Sequence, residues 1–295
     1  MKHKYSIQEG AGTLYYYDSA FDLDKSEMPH KPNKKLWEQY LMQSRNRGKK
    51  WWGCENSEEV QSYFNGAGWE DGFQKGTDSI GQIEPIKLPS MKRKSRRGPV
   101  GSRLDIHQVY AGRIHEAWSV MKREGSFSNN MKKVPVTIVV DLIAGGGESS
   151  DEMFWGGAVA SMLADSIAES GRPVKVIGAF KVSNLESRPK LEFKDHAYTA
   201  FVFKIKDFQE PVDVLKLFTV TALGGFFRYY GFKAMFDMPF TVKKTLGHCR
   251  SVTTEDLESV TGSENGVVLH ISNVKSQNGA IKMLENFRKQ MSGEV

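Results

Sequence analysis

Val134-Pro-Val-Thr-Ile-Val-Val-Asp-Leu-Ile143, followed by Ala144-Gly-Gly-Gly-Glu-Ser-Ser-Asp151, is the segment on which the fold turns. Its first ten residues are β-branched and nearly free of alternation, the pattern of a strand buried on both faces, and such strands belong to parallel sheets flanked by helices. The three glycines free the backbone for a tight turn, and Ser150 or Asp151 offers a side-chain oxygen to cap the next helix. From Glu152 to Glu169, Met153, Phe154, Val159, Met162, Leu163 and Ile167 recur at helical spacing, while Gly156, Gly157, Ala158, Ala160 and Ser161 allow close approach to a sheet. Gly171 ends that helix, and Val174-Lys-Val-Ile-Gly-Ala-Phe180 reads as the next strand. Strand, loop, helix and strand form one right-handed crossover, and its loop lies at the carboxyl end of the first strand, where open α/β sheets bind ligands.

Further along the chain, Tyr198-Thr-Ala-Phe-Val-Phe-Lys-Ile205 and Val267-Val-Leu-His-Ile271 read as additional strands, with helices over 212–221 and 276–291. The fold class expected is α/β, a mainly parallel sheet flanked by helices, spanning residues 104–295. Residues 1–80 form a less regular, partly helical, aromatic-rich region. Within it, Tyr15-Tyr16-Tyr17 reads as alternate inward and outward positions of an edge strand, and Trp51-Trp52 as a core plug. A run over Leu104 to Glu124 has amphipathic helical spacing.

The chain is 39% hydrophobic and 26% charged, ordinary for a globular protein. No stretch is apolar enough to span a bilayer and the first residues lack a secretory signal, so a cytoplasmic location without membrane partners is expected. Cys54 and Cys249 stand apart, without cysteine or histidine neighbours at zinc spacing, and read as free thiols. The formal charge of +6 is uneven. Between Pro85 and Leu104, Lys87, Lys92, Arg93, Lys94, Arg96, Arg97 and Arg103 occur with no acid. Prolines and glycines around them and the lack of apolar periodicity mark residues 81–103 as a basic linker or loop. Lys92, Arg93, Lys94, Arg96, Arg97 and Arg103 are the candidate nucleic-acid-binding residues, since clustered cations neutralise phosphates.

The aspartate ending the first strand, the polar loop, the long small-residue helix and the strand after Gly171-Arg-Pro173 together resemble a von Willebrand factor A-like, Rossmann-type domain over residues 134–291. Asp141 matches the first aspartate of that family's metal-ion-dependent adhesion motif, Asp-x-Ser-x-Ser. Ile143 and Gly145 stand where its two serine ligands should be, so the motif is degenerate. Ser149, Ser150 and Asp151 come later and could supply hard oxygens through a longer loop, which makes Asp141, Ser149, Ser150 and Asp151 the candidate ligands of a Mg2+ ion. The wider pattern of Trp69-Glu-Asp-Gly72, Arg103-Leu-Asp-Ile-His-Gln-Val-Tyr-Ala-Gly112 and Met153-Phe-Trp-Gly-Gly-Ala158 is similar to a family of uncharacterised phage and mobile-element proteins. That resemblance implies a host-cell cytoplasm and names no activity.

Three functions compete. A non-enzymatic binding module would hold a protein or nucleic-acid partner through the α/β domain and the basic segment. An enzyme would use Asp141 with a divalent cation in phosphoryl transfer. A structural component of a virion would bury its basic segment against neighbours, as a homo- or hetero-oligomer. The chain contains no Walker loop, no Gly-x-Ser-x-Gly elbow and no His-Glu-x-x-His helix, and the balance favours the binding module.

Overall fold

The computed structural model describes residues 2–6, 12–23, 31–66, 68–80, 92–98, 103–124, 134–143, 147–183, 198–237, 248–253, 257 and 266–292. In chain order the strands are β1 (Lys2–Ser6), β2 (Gly12–Tyr17), β3 (Lys92–Gly98), β4 (Arg103–Leu104), β5 (Trp118–Glu124), β6 (Val136–Asp141), β7 (Val174–Ser183), β8 (Tyr198–Lys206), β9 (His248–Arg250) and β10 (Val267–Ile271). The helices are α1 (Lys31–Ser44), α2 (Gly48–Trp52), α3 (Ser57–Asn65), α4 (Glu70–Ile80), α5 (Ile106–Tyr110), α6 (Ser150–Glu169), α7 (Val214–Ala222), α8 (Gly224–Phe226), α9 (Phe232–Phe236) and α10 (Gln277–Ser292), with a π turn (Phe227–Gly231) joining α8 to α9.

The protein is of the α/β class, with helices packed against an open sheet of order β1-β2-β8-β7-β6-β10. β10, β6 and β7 form its parallel core, and Val134–Ile143 contains the buried central strand its composition predicts. β8 runs antiparallel to β7 and parallel to β2. Tyr15-Tyr16-Tyr17 therefore lies one strand in from the edge, with Tyr15 and Tyr17 buried among the helices and Tyr16 on the opposite face. The first strands belong to the same sheet as residues 136–271, although the sequence marks 1–80 as a separate region. Where β6 ends at Asp141, β9 takes its place beside β7.

α6 lies against β6, β7 and β10, α7 against β8, and α10 and α4 pack on α6. Val136, Ile138 and Val140 of β6 face this layer, while Val139, Ile177, Ala179, Ala200 and Val202 face the other way beneath Val252 and Leu257. That clean period of two places Asp141 on the face opposite α6. Trp52 is fully buried and its indole N–H donates to the Ser44 carbonyl at 3.1 Å, so it plugs the core as expected. The cap of α6 differs from the expectation. Ser149, not Ser150 or Asp151, accepts the Glu152 N–H while Glu152 accepts the Ser149 N–H, because Ser-x-x-Glu is a capping box. Among the described residues, no helix is long and apolar enough to cross a membrane.

Several acidic side chains hold their protons tightly. Burial pushes the Cys54 thiol up to about 12 and raises Tyr17 and Tyr40 as well, while Tyr63 is raised by donating to Glu59 at 2.6 Å. Each binds its proton more strongly folded than unfolded, so their stabilisation is complete below about pH 9 and declines as pH rises above it. Arg228, lowered to about 10 by burial, opposes this only at higher pH. Thermal unfolding should show a melting temperature that is level up to about pH 9 and falls from there towards pH 11; a profile flat over the whole range would refute this account.

Candidate functional site

Two regions carry the residues singled out above. The first is the crevice at the carboxyl ends of β6 and β10, about 450 Å³ of open space. Asp141, Glu148, Glu152, Asn273 and Lys275 supply most of its polar lining. The Asp141 side chain is only 1% exposed, and its Oδ1 shares a 2.9 Å hydrogen bond with His270 Nε2 and receives the Val252 N–H at 3.4 Å. Its Oδ2 is buried with no hydrogen-bond partner among the described residues. His270 reaches it because parallel pairing of β10 with β6 sets His270 against Val139, two positions before Asp141 and on the same face. Asn273 holds a left-handed backbone at φ 55° in the crevice wall, uncommon away from glycine.

The loop from β6 into α6 is fastened on several sides. Arg228, in the π turn, is fully buried and donates through Nη2 to the Glu148 carbonyl at 2.5 Å and through Nη1 to the Trp51 carbonyl. Its guanidinium lies 3.8 Å from the centre of the Trp51 ring, whose contact with Arg47 is 4.2 Å. The Glu148 carboxylate pairs with Lys275. The Glu152 carboxyl is held below the usual carboxylate range by the Ser149 N–H and hydroxyl.

Asp141, Ser149, Ser150 and Asp151 are consequently not brought together. Ser149 serves the cap, the Ser150 hydroxyl donates to the Lys49 carbonyl at 2.8 Å, and Asp151 pairs with Lys75 at 2.8 Å. Residues 144–146, with two glycines of the triplet, lie outside the described residues. No group of three or more His, Cys, Asp or Glu that could hold a metal occurs among the described residues. The histidine beside Asp141 is legible in the sequence only as a polar residue in an otherwise apolar strand, a signal that does not say which aspartate it meets.

The second region is residues 92–124. Part of the expected linker is a strand: Lys92–Gly98 pairs antiparallel with Trp118–Glu124 over their full lengths, and Arg103–Leu104 adds to the same partner. Residues 81–91 and 99–102 lie outside the described residues. The expected long helix is likewise reduced to α5, which Asp105 caps and Gly112, at φ 75°, follows. Lys92-Arg-Lys-Ser-Arg-Arg97 carries no apolar alternation to announce a strand, and only its backbone pairing with β5 defines one.

The register sorts the charges. Arg97 and Arg103 both sit opposite Ser119, and Arg93 sits opposite Arg123, so four arginine positions share one face of this small three-stranded sheet, in which β5 lies between β3 and the short β4. The positions of Lys92, Lys94, Arg96 and Lys122 alternate with these in the register and fall on the other face. Of the described side chains here, Arg97 is half exposed and touches Asp105 at 3.3 Å. Residues 92–124 contain nine Lys or Arg against three Asp or Glu, a net +6 equal to that of the entire chain.

Among known proteins, a family model described as a domain of unknown function (DUF7192) matches residues 8–292. No curated protein and no solved structure matches the chain.

Proposed function

We propose, for a chain that belongs to the DUF7192 family of domains of unknown function, a nucleic-acid-binding role carried by the basic ribbon of β3 and β5. The observation supporting this reading is the register that gathers Arg93, Arg97, Arg103 and Arg123 on one face. A solvated charge run would leave its cations spread around a segment without fixed spacing, whereas the register sets Arg93 across from Arg123 and, about 13 Å further along, Arg97 level with Arg103 on the two sides of Ser119. Guanidinium forks bind phosphate oxygens in pairs, so cationic positions fixed in this way suit a phosphate backbone. The protein is then a binding module, with the α/β body as its scaffold.

The test is a fluorescence-anisotropy titration of labelled nucleic acid at several salt concentrations. Replacing the four arginines by glutamine should flatten the slope of log affinity against log salt by about 3 to 4 and weaken binding at low salt by at least about a hundredfold. Replacing Lys31, Lys34, Lys35 and Lys289, which are exposed on α1 and α10, removes as much charge and should change affinity little. Asp141→Asn should leave binding intact. Equal losses from the two quadruple variants would reduce the effect to net charge and overturn the assignment to the ribbon.

A further inference from the structure

The ribbon ends in an apolar tip. Beside the last pair of β3 and β5, Gly98 with Trp118, residues 105–117 form a loop whose neck is closed by the Asp105 N–H donating to the Ala117 carbonyl at 2.7 Å. Ala117 is fully buried beneath it, yet Leu104, Ile106, Val109, Tyr110 and Ile114 are exposed, Tyr110 to 86% and Ile114 to 62%. Single exposed aliphatics are common on soluble proteins, but five large apolar side chains exposed within eleven consecutive residues concentrate apolar surface on one short loop.

The charges on either side of the ribbon narrow what partner this surface suits. Cationic positions occupy both faces, 93, 97, 103 and 123 on one and 92, 94, 96 and 122 on the other. A single strand lying on a sheet meets one face and leaves the other face's cations without phosphates. A duplex groove presents a phosphate wall on each side, and the major groove of B-form DNA, about 12 Å wide, admits two strands such as β3 and β5, which β4 widens only beside Trp118 and Ser119. The major groove of A-form RNA is too deep and narrow for this.

Resting on the nucleic-acid reading above, we infer that the ribbon enters a groove of double-stranded DNA and presses its apolar tip against the base edges. Ile106, Tyr110 and Ile114 would meet thymine methyl groups or wedge between base steps, contacts that unstack and bend a duplex. The arginine and lysine faces hold the two walls, and the tip is covered only when DNA is bound. Seven paired residues extend about 23 Å, some two thirds of a helical turn, so the tip lies within the same groove that the cations enter.

The full-length chain should be titrated with double-stranded DNA, single-stranded DNA and double-stranded RNA of one sequence, about two helical turns long. A duplex labelled at both ends reports bending by energy transfer. Tighter binding to duplex DNA than to the other two by about tenfold or more is expected, with a change in end-to-end transfer. Ile106→Ser combined with Tyr110→Ser should lose about tenfold in affinity and most of the bending signal while keeping the salt slope of the wild type. Circular dichroism checks that these exposed substitutions leave the fold intact. Equal affinity for single-stranded DNA or RNA, still lost with the four arginines, would overturn the groove while sparing the nucleic-acid reading. Absence of binding to every nucleic acid would overturn both. Binding to vesicles of phosphatidylserine and phosphatidylcholine that the tip variant loses, without DNA binding, would assign the tip to a membrane surface instead and overturn the inference.

Discussion

Gly157→Ala is expected to destabilise the protein by about 3 kcal/mol or more, enough to lower its melting temperature by about 5 to 10 °C. A Cβ built at Gly157 would stand 2.2 Å from the Thr221 carbonyl carbon and oxygen and 2.4 Å from the Ala222 nitrogen. These are backbone atoms, which cannot rotate aside, so α6 and α7 would have to separate. The same contact is reinforced by polar groups. The Ser161 and Thr221 hydroxyls lie 3.0 Å apart, and each donates to the Gly157 carbonyl, at 3.0 and 3.1 Å. Separating the helices breaks this buried arrangement and opens the layer that covers the sheet.

The adjacent glycine supplies the contrast. At Gly156 the nearest atom to a built Cβ is the Val274 carbonyl oxygen at 3.9 Å, an ordinary contact. Gly156→Ala should therefore be neutral or stabilise by up to about 1 kcal/mol, through the helix propensity that glycine lacks. Chemical denaturation of both variants distinguishes close backbone approach from a general intolerance of the helix. Similar losses at the two positions would contradict the packing described.

Arg228→Ala is expected to cost about 3 to 5 kcal/mol, because it removes a large side chain from a site with no solvent and leaves the Trp51 and Glu148 carbonyls without their donor. Burial draws this guanidinium down to about 10, because taking its charge out of water is a cost in the folded protein. What it contributes is shape: two carbonyls from separate segments and one indole face are satisfied by a single planar fork. Arg228→Lys should recover less than half of the loss, since an ammonium group neither stacks on Trp51 in the same way nor reaches both carbonyls. Amide hydrogen exchange over 147–152 should accelerate in both variants, because the Glu148 carbonyl is the loop's anchor to the helical layer. Wild-type stability in Arg228→Ala would mean that the loop is held by its capping box and the Lys275 pair alone.

How much of this is legible in the chain varies by element. Val136–Asp141, Ser150–Glu169 and Val174–Ser183 follow from β-branched runs, helical spacing and glycine stops, all local signals. The caps are local signals too, but Ser150 and Asp151 compete with Ser149 until the partner Glu152 is considered, and Asp213 caps α7 at a position that falls inside the helix expected from 212. The candidate sites fare differently. Asp141 is found from its place at a strand end, but Ser149, Ser150 and Asp151, neighbours of the same loop, point to separate partners. The basic run is found from its charge, and its strand geometry is not.

The α/β class, strands β6, β7, β8 and β10 with helices α6, α7 and α10, and the position of the cationic segment can be read from the amino acids, because periodicity, capping and charge are written within about twenty residues of each other. Only the folded chain settles that β2 joins β8, that His270 meets Asp141 across 129 positions, and that four arginines line one face of a ribbon. Strand pairing uses backbone N–H and C=O groups that every residue but proline carries in full, so a distant partner and its register leave almost no mark in the side chains, and the sheet itself must form before those residues stand together.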